Sequence, residues 1–139
     1  MANLPDVMEQ ALCNHYLKTA NSTTYGNVTS ASLWIGLCTA APTDSATNEC
    51  TVGSYARKQI VMSTASAQGA STGPTATTNF EQITGTAWGT INGYIVCAAS
   101  TGSTGTSAWL WYGAVSPTVA TTLNDTVSFA ANAITLTFA

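Results

Sequence analysis

Residues 32–39 read SLWIGLCT, and the pattern of this stretch indicates the fold class. The odd-numbered residues from Leu33 to Leu37 alternate with the even-numbered residues from Trp34 to Cys38. A period of two is typical of a β-strand, and here both sets of residues are apolar. We therefore expect a strand that is covered on both faces.

Short apolar runs of the same kind recur along the rest of the chain. They predict further strands over Tyr55–Ser63, Phe80–Thr84, Trp88–Ala98 and Ala108–Val115. Near the C-terminus the apolar residues change from odd to even positions, which predicts a bulge or turn over Ala130–Asn132. The stretch 63–79 has no large apolar residue and is expected to be a long surface loop or a polar edge.

One amphipathic helix is predicted, over roughly residues 4–19, where apolar residues recur three and four apart. The sequence therefore predicts a single, mainly β domain over residues 1–139. Its expected architecture is an antiparallel, jelly-roll-like β-sandwich from about residue 30 onward, preceded by the N-terminal helix.

The charge content restricts the possible partners. Only 6% of the 139 residues are charged, whereas an average soluble domain has about 25%. Ala, Thr and Ser together occupy 60 positions. Three basic residues cannot neutralise a run of phosphates, so we expect no nucleic-acid partner. A net charge of −3 without a polybasic patch also argues against an anionic membrane surface.

Catalytic and cofactor signals are weak. The single histidine, His15, lies on the apolar face of the predicted helix, where a core or rim position is the more ordinary role. Asp44 and Glu49 share one loop and could face each other, but two acids in a Thr-rich loop are usually just solvated. We find no phosphate-binding or calcium-binding loop motif. The expectation is a protein that is not an enzyme and holds no metal or cofactor.

The four cysteines, at positions 13, 38, 50 and 97, are far apart and form no Cys-x-x-Cys pair. Buried, apolar thiols in a reducing compartment are the favoured interpretation. A Cys38–Cys50 disulfide that closes the intervening loop is the alternative. The N-terminus lacks a basic leader followed by a long apolar run, so we expect no signal peptide and synthesis in a cytoplasm.

Tyr55, Arg57 and Lys58 form the first candidate contact surface. Tyr55 and Arg57 alternate onto one face of a predicted strand, and Arg57 with Lys58 is the basic pair of the chain. This is either an exposed strand end or an anchor onto an acidic patch of a neighbouring subunit. As an anchor, Arg57→Ala is expected to weaken assembly while leaving the thermal midpoint nearly unchanged.

The aromatic run from Trp109 to Tyr112 is the second candidate surface. On a strand, Trp109 and Trp111 share one face, while Leu110 and Tyr112 share the other. One face can belong to the core, and the opposite face then needs cover from the N-terminal helix, a partner subunit or a sugar. Trp111 is the candidate for a buried contact in a homotrimer, which the low charge content favours.

Five stretches in order resemble a family of small structural proteins of tailed bacteriophages, known as tail fibre or capsid decoration proteins. They are Leu33–Pro42, Ser54–Arg57, Trp88–Ile91, Leu110–Gly113 and Asn124–Phe138. The residue before Asp125 is often Gly in such proteins, and here it is Asn124, which also tolerates a left-handed turn.

The resemblance implies a virion component with no catalytic residues, made in the cytoplasm of the bacterial host. We expect a capsid decoration (cement) protein on the capsid exterior, with the major capsid protein and further copies of itself as partners. The alternative is a tail fibre or tail-tip module that binds host surface glycans.

Overall fold

The structure is a computed structural model that describes residues 33–43, 46–63, 71–97, 99–101 and 109–137. Within these ranges the chain forms eight β-strands and no helix. The helix expected over residues 4–19 lies outside the described residues, as do Cys13, His15 and Asp44. The described ranges also contain no helix that is long and apolar enough to cross a membrane.

The strands are arranged in one four-stranded sheet and two small two-stranded sheets. They are β1 (Leu33–Cys38), β2 (Lys58–Ile60), β3 (Ser71–Thr72), β4 (Thr78–Asn79), β5 (Thr90–Cys97), β6 (Trp109–Ala120), β7 (Ser128–Phe129) and β8 (Leu136–Thr137). The large sheet has the order β2-β1-β5-β6, and the small sheets are β3-β8 and β4-β7. β5 is antiparallel to both β1 and β6, and β3 is antiparallel to β8. The prediction of a mainly β, antiparallel protein is therefore confirmed, whereas the sandwich stays a prediction.

β1 lies inside the large sheet, as its two apolar faces predict. Its register with β5 runs from Trp34 opposite Cys97 to Cys38 opposite Gly93. Ile35 on one face and Cys38 on the other are both 0% exposed. The expected cover on both faces is thus confirmed.

The ladder between β5 and β6 is interrupted twice. Ile91 pairs with Val119, but Gly93 already pairs with Ala114, so a single residue of β5 faces the segment 115–118 of β6. A cis peptide bond precedes Pro117 in that segment. Proline has no N–H for a ladder, and it is tolerated here because β6 is an edge strand among the described strands.

The described residues divide into two compact units, of which one comprises residues 33, 60–63, 71–78 and 129–137. Its described core contains Ile60, Met62 and Ile134, each at most 3% exposed. The described part of the stretch 63–79 is not simply a loop, because it contributes β3 and β4. Thr72 is fully buried although the stretch is polar.

The turn expected near residues 130–132 is present in the same unit. Asn132 has a φ of 59° and donates its backbone N–H to the Pro74 carbonyl over 3.0 Å. The Ala133 N–H is bonded to the Ala130 carbonyl over 3.1 Å. A turn with a left-handed asparagine therefore accounts for the change of the apolar residues from odd to even positions.

The second unit comprises the described residues 34–43, 46–59, 79–97, 99–101 and 109–128 and contains most of the large sheet. An aromatic group forms part of its core: the Trp88 ring meets Tyr55 edge-on at 5.5 Å and Phe80 at 6.2 Å between centroids. Phe80–Thr84 is not a strand, although its Phe80 and Ile83 N–H groups bond to Val127 and Asp125 carbonyls, both over 2.9 Å.

Two local expectations in this unit have different outcomes. Asn124 adopts a φ of 73°, so the left-handed turn expected beside Asp125 is confirmed. The strand expected over Tyr55–Ser63 is shorter and covers only β2. Tyr55 and Arg57 therefore lie in the irregular segment that precedes this strand.

Candidate functional site

Arg57 and Glu49 form a buried, bidentate ion pair. The Arg57 Nε donates to Glu49 Oε1 over 2.7 Å, and Arg57 Nη2 donates to Glu49 Oε2 over 2.6 Å. The two side chains are only 4% and 15% exposed. The hydrogen bonds to Glu49 raise the pKa of Arg57 further above its ordinary value. This geometry is the strong, charge-assisted form of the interaction.

Tyr55 extends the ion pair to the large sheet. Its hydroxyl donates to Glu49 Oε1 and accepts from the Leu37 N–H of β1, both over 2.8 Å. Burial, followed by the nearby Glu49 charge, raises the pKa of Tyr55, so the phenol stays protonated and remains a donor. The Tyr55 ring is in turn fixed by its contacts with Trp88 and Phe80.

The third side of Arg57 holds the segment that follows β5. Its Nη1 donates to the Ala99 carbonyl over 2.9 Å and to the Thr101 carbonyl over 3.5 Å. Nε and both terminal nitrogens of the guanidinium therefore have acceptors within this chain. The arrangement holds together the segments that contain Glu49, Arg57 and residues 99–101. We refer to Glu49, Tyr55 and Arg57 as the brace.

Gly36 makes room for the brace. A Cβ atom at this position would lie 2.6 Å from Glu49 Oε1 and 3.0 Å from the Tyr55 hydroxyl. The sequence gives no sign of this role, because a glycine within an apolar strand does not indicate what packs against it. From its position in the sequence, Glu49 was expected only as a possible partner of Asp44.

The described cysteines are buried, unbridged thiols. Cys38 faces Glu49 across an isolated antiparallel bridge, and the Cys50 N–H bonds to the Leu37 carbonyl over 2.8 Å. Successive residues of paired segments point to opposite faces, so this register directs the Cys38 and Cys50 side chains away from each other. A disulfide between them would require the backbone to move.

Burial also makes these thiols unreactive. It raises the pKa of Cys38 to about 12 and that of Cys97 to about 11, with the Glu49 charge adding to both shifts. Thiols, rather than thiolates, are therefore present near neutral pH, and a thiol is a poor metal ligand and nucleophile. Within the described ranges no group of three His, Cys, Asp or Glu residues could hold a metal ion.

Lys58 is separate from the brace. Its Nζ is paired with Glu81 Oε1, and the two side chains are 24% and 66% exposed. The basic pair seen in the sequence thus splits into one buried and one solvated cation. An exposed ion pair such as Lys58–Glu81 contributes little to stability.

Trp111 and Tyr112 lie on β6, two strands away from β1 in the large sheet. Trp111 is half-buried, and its indole N–H is enclosed without a hydrogen-bond acceptor. Tyr112 lies opposite Ile95 and is 38% exposed. The structure therefore separates the two candidate surfaces: Tyr55 and Arg57 share Glu49, whereas Trp111 and Tyr112 belong to an edge strand.

Comparison with known proteins gives one match. The model of the family described as Podophage GP4 fiber I protein gp80 matches residues 3–137, nearly the whole chain. No match was found among curated proteins or among solved structures.

Proposed function

We propose a virion role for this chain from one premise: it belongs to the family of the podophage GP4 fiber I protein gp80. The chain is accordingly a structural protein of a tailed phage. The resemblance found in the sequence is confirmed at that level. Our proposal is that the chain is a subunit of a fibre and has no enzymatic activity.

The absence of catalysis is supported by how the described titratable groups are used. Arg57 and Glu49 bind each other, Tyr55 is held protonated between Glu49 and Leu37, and the described thiols are buried. Catalytic groups normally combine a perturbed pKa with access to a cleft. Here the perturbed groups serve internal packing.

The family description favours a fibre over the capsid decoration role that the sequence suggested. A fibre subunit contacts other copies of itself and the remainder of the tail, so the major capsid protein is no longer the partner we propose. The virion is the proposed location in both cases. The proposal also includes self-association as a homotrimer. It further includes a jelly-roll-like sandwich of which the large sheet is one part.

Host surface glycans are the ligand class that we propose for such a fibre. Arg57 and Lys58 are each bound to a carboxylate of the same chain, which leaves neither free to capture an anionic group. Exposed turns such as Thr84–Thr86 and Thr122–Asp125 present hydroxyl and amide groups, which suit a neutral saccharide.

The location in the particle tests the proposal directly. Antibodies against the purified protein, detected with gold in electron micrographs of the parent phage, should label the fibres. An antibody against the major capsid protein provides the control, because it should label the shell in the same particles. Gold over the capsid surface would contradict the fibre role and support decoration. Particles without any gold would contradict the virion role itself.

A further inference from the structure

One face of the large sheet is buried on β1 and β5 and exposed to solvent at the paired positions of β6. Ile95 is 0% exposed, whereas its direct partner Tyr112 is 38% exposed. Ile91 is also 0% exposed, whereas its partner Val119 is 40% exposed. Residues paired directly across two strands lie on the same face, so the exposure changes between neighbouring strands.

The cover over β1 and β5 comes from the chain itself. Glu49 and Tyr55 lie over Gly36 of β1, beside Ile95, and Pro42 lies against the Gly93 position of β5. The exposed row on β6 therefore continues an apolar face that is already buried one strand away.

The exposed row is concentrated and uncharged. Six large apolar residues of the described chain are exposed, and three of them lie on β6: Leu110, Tyr112 and Val119. The whole strand from Trp109 to Ala120 has no charged residue. We call these three residues the β6 strip.

We infer that the β6 strip is the contact surface for a second copy of this chain. The inference rests on the proposed function, because a fibre subunit must associate with itself. A neutral, apolar surface matches only a partner that is equally neutral there, and a second copy brings such a surface with it. Charged side chains, lysine above all, are one device that keeps an exposed edge strand from associating, and β6 has no charged side chain.

The contact is made by side chains more than by strand pairing. The ladder between β5 and β6 has two register shifts, at Val96–Cys97 and at Ile91–Gly93 of β5. In addition, Pro117 of β6 lacks an N–H. Such irregularities shorten the stretch of backbone that can pair with another strand. Burial of Leu110, Tyr112 and Val119 is then the main source of affinity.

Charge substitution at matched positions tests the inference. We compare the wild type with Val119→Lys and Val52→Lys, because both valines are 40% exposed and only Val119 lies on the strip. The measurement is the molar mass by light scattering at micromolar concentration. We expect a multiple of 14.3 kDa for the wild type and for Val52→Lys, and a 14.3 kDa monomer for Val119→Lys.

Two results would overturn the inference: a wild type that is monomeric throughout the concentration range, or a Val119→Lys variant that keeps the wild-type mass. If Val119→Lys fails to fold by circular dichroism, hydrogen exchange of the wild type decides. Amides of residues 109–120 should exchange more slowly at high than at low protein concentration, while those of residues 51–54 should not change. Equal exchange of residues 109–120 at both concentrations would contradict the contact.

The two proposals fail in distinguishable ways. Gold on the capsid would reject the fibre role, but it would not affect the comparison of molar mass between the wild type and the variants. Gold on the fibres together with an oligomeric Val119→Lys variant would reject the β6 strip and retain the fibre.

Discussion

Arg57 connects three segments of the chain through four hydrogen bonds. In a protein with nine charged residues, it is notable that two of them are buried against each other. Desolvation of an ion pair costs free energy. The attraction between the two charges offsets this cost only when their geometry is good and the remaining hydrogen-bond donors have acceptors. Both conditions hold for Arg57 and Glu49. The pair therefore fixes the relative position of the segments it joins.

Arg57→Ala is expected to destabilise the protein strongly. Removal of the guanidinium leaves the Glu49 carboxylate buried without its cation, which costs about 3–5 kcal/mol in comparable pairs. As an anchor onto a neighbouring subunit, Arg57 was instead expected to be replaceable by Ala with almost no change in the thermal midpoint. Chemical unfolding in urea near neutral pH measures the difference.

Lys58→Ala is the matched control, since Lys58 is the neighbouring cation and its pair with Glu81 is exposed. We expect a change below about 1 kcal/mol. Equal stabilities of the Arg57→Ala and Lys58→Ala variants would show that the brace does not hold the fold together. They would also restore the anchor interpretation of Arg57.

Gly36→Ala is predicted to destabilise the protein by about 1–3 kcal/mol, the usual effect of overpacking. The added methyl group would lie 2.6 Å from Glu49 Oε1, and it would displace the carboxylate from Arg57 and Tyr55. Thermal unfolding provides the measurement. The double variant Gly36→Ala, Glu49→Ala separates the causes: if the clash is with Glu49, the effects of the two substitutions should be less than additive.

At the level of secondary structure, the sequence predicted the strands that have strong apolar patterns. β1 and β5 lie within one residue or two of the expected ranges, because their buried faces require an unbroken alternation. β6 begins as expected but continues to Ala120, past a proline that an edge strand tolerates. β3 and β4 were not foreseen, since two-residue strands of polar Ser, Thr and Asn residues have no hydrophobic period.

The brace could not be predicted from the sequence for a related reason. Glu49 and Arg57 are eight residues apart, on segments that have no regular periodicity, and only the folded chain shows that Glu49 binds Arg57 and lies against Gly36. Tyr55 and Arg57 were identified as a pair through strand alternation. They do act together, but through a shared carboxylate rather than a shared strand face.

The buried thiols of β1 and β5 predict a loss of stability in alkaline solution. The pKa values of Cys38 and Cys97 rise from 9.0 to about 12 and about 11 on folding. Above pH 9 the unfolded chain therefore loses thiol protons that the folded chain retains. The free energy of unfolding should fall with rising pH, by up to about 1.4 kcal/mol per pH unit for each thiol.

Urea unfolding of the wild type and of Cys97→Ala between about pH 8 and about pH 10 tests this dependence. Both proteins should lose stability over the range, but the variant should show the shallower slope because it has one thiol fewer to ionise. The comparison of slopes removes the constant effect of the missing side chain. Parallel slopes would contradict the burial of Cys97 as a source of the dependence.

Across the molecule, each described charged side chain is bonded to another group of the same chain. Arg57 is paired with Glu49, Lys58 with Glu81, and the Asp125 carboxylate accepts from the N–H and the hydroxyl of Thr122. What remains on the described surface is largely hydroxyl, methyl and backbone. A surface of this kind provides little electrostatic repulsion between copies, which supports the proposed self-association.

Self-association through the β6 strip is expected to persist at high salt. The strip contains no charge, so screening removes no attraction, and an increase from about 0.05 M to about 1 M salt should leave the molar mass unchanged. An anchor formed by Arg57 on an acidic patch would behave in the opposite way, because screening weakens contacts between exposed charges. Light scattering across this salt range therefore distinguishes the two surfaces. A mass that falls steadily with salt would point to charged groups at the interface and away from Leu110, Tyr112 and Val119.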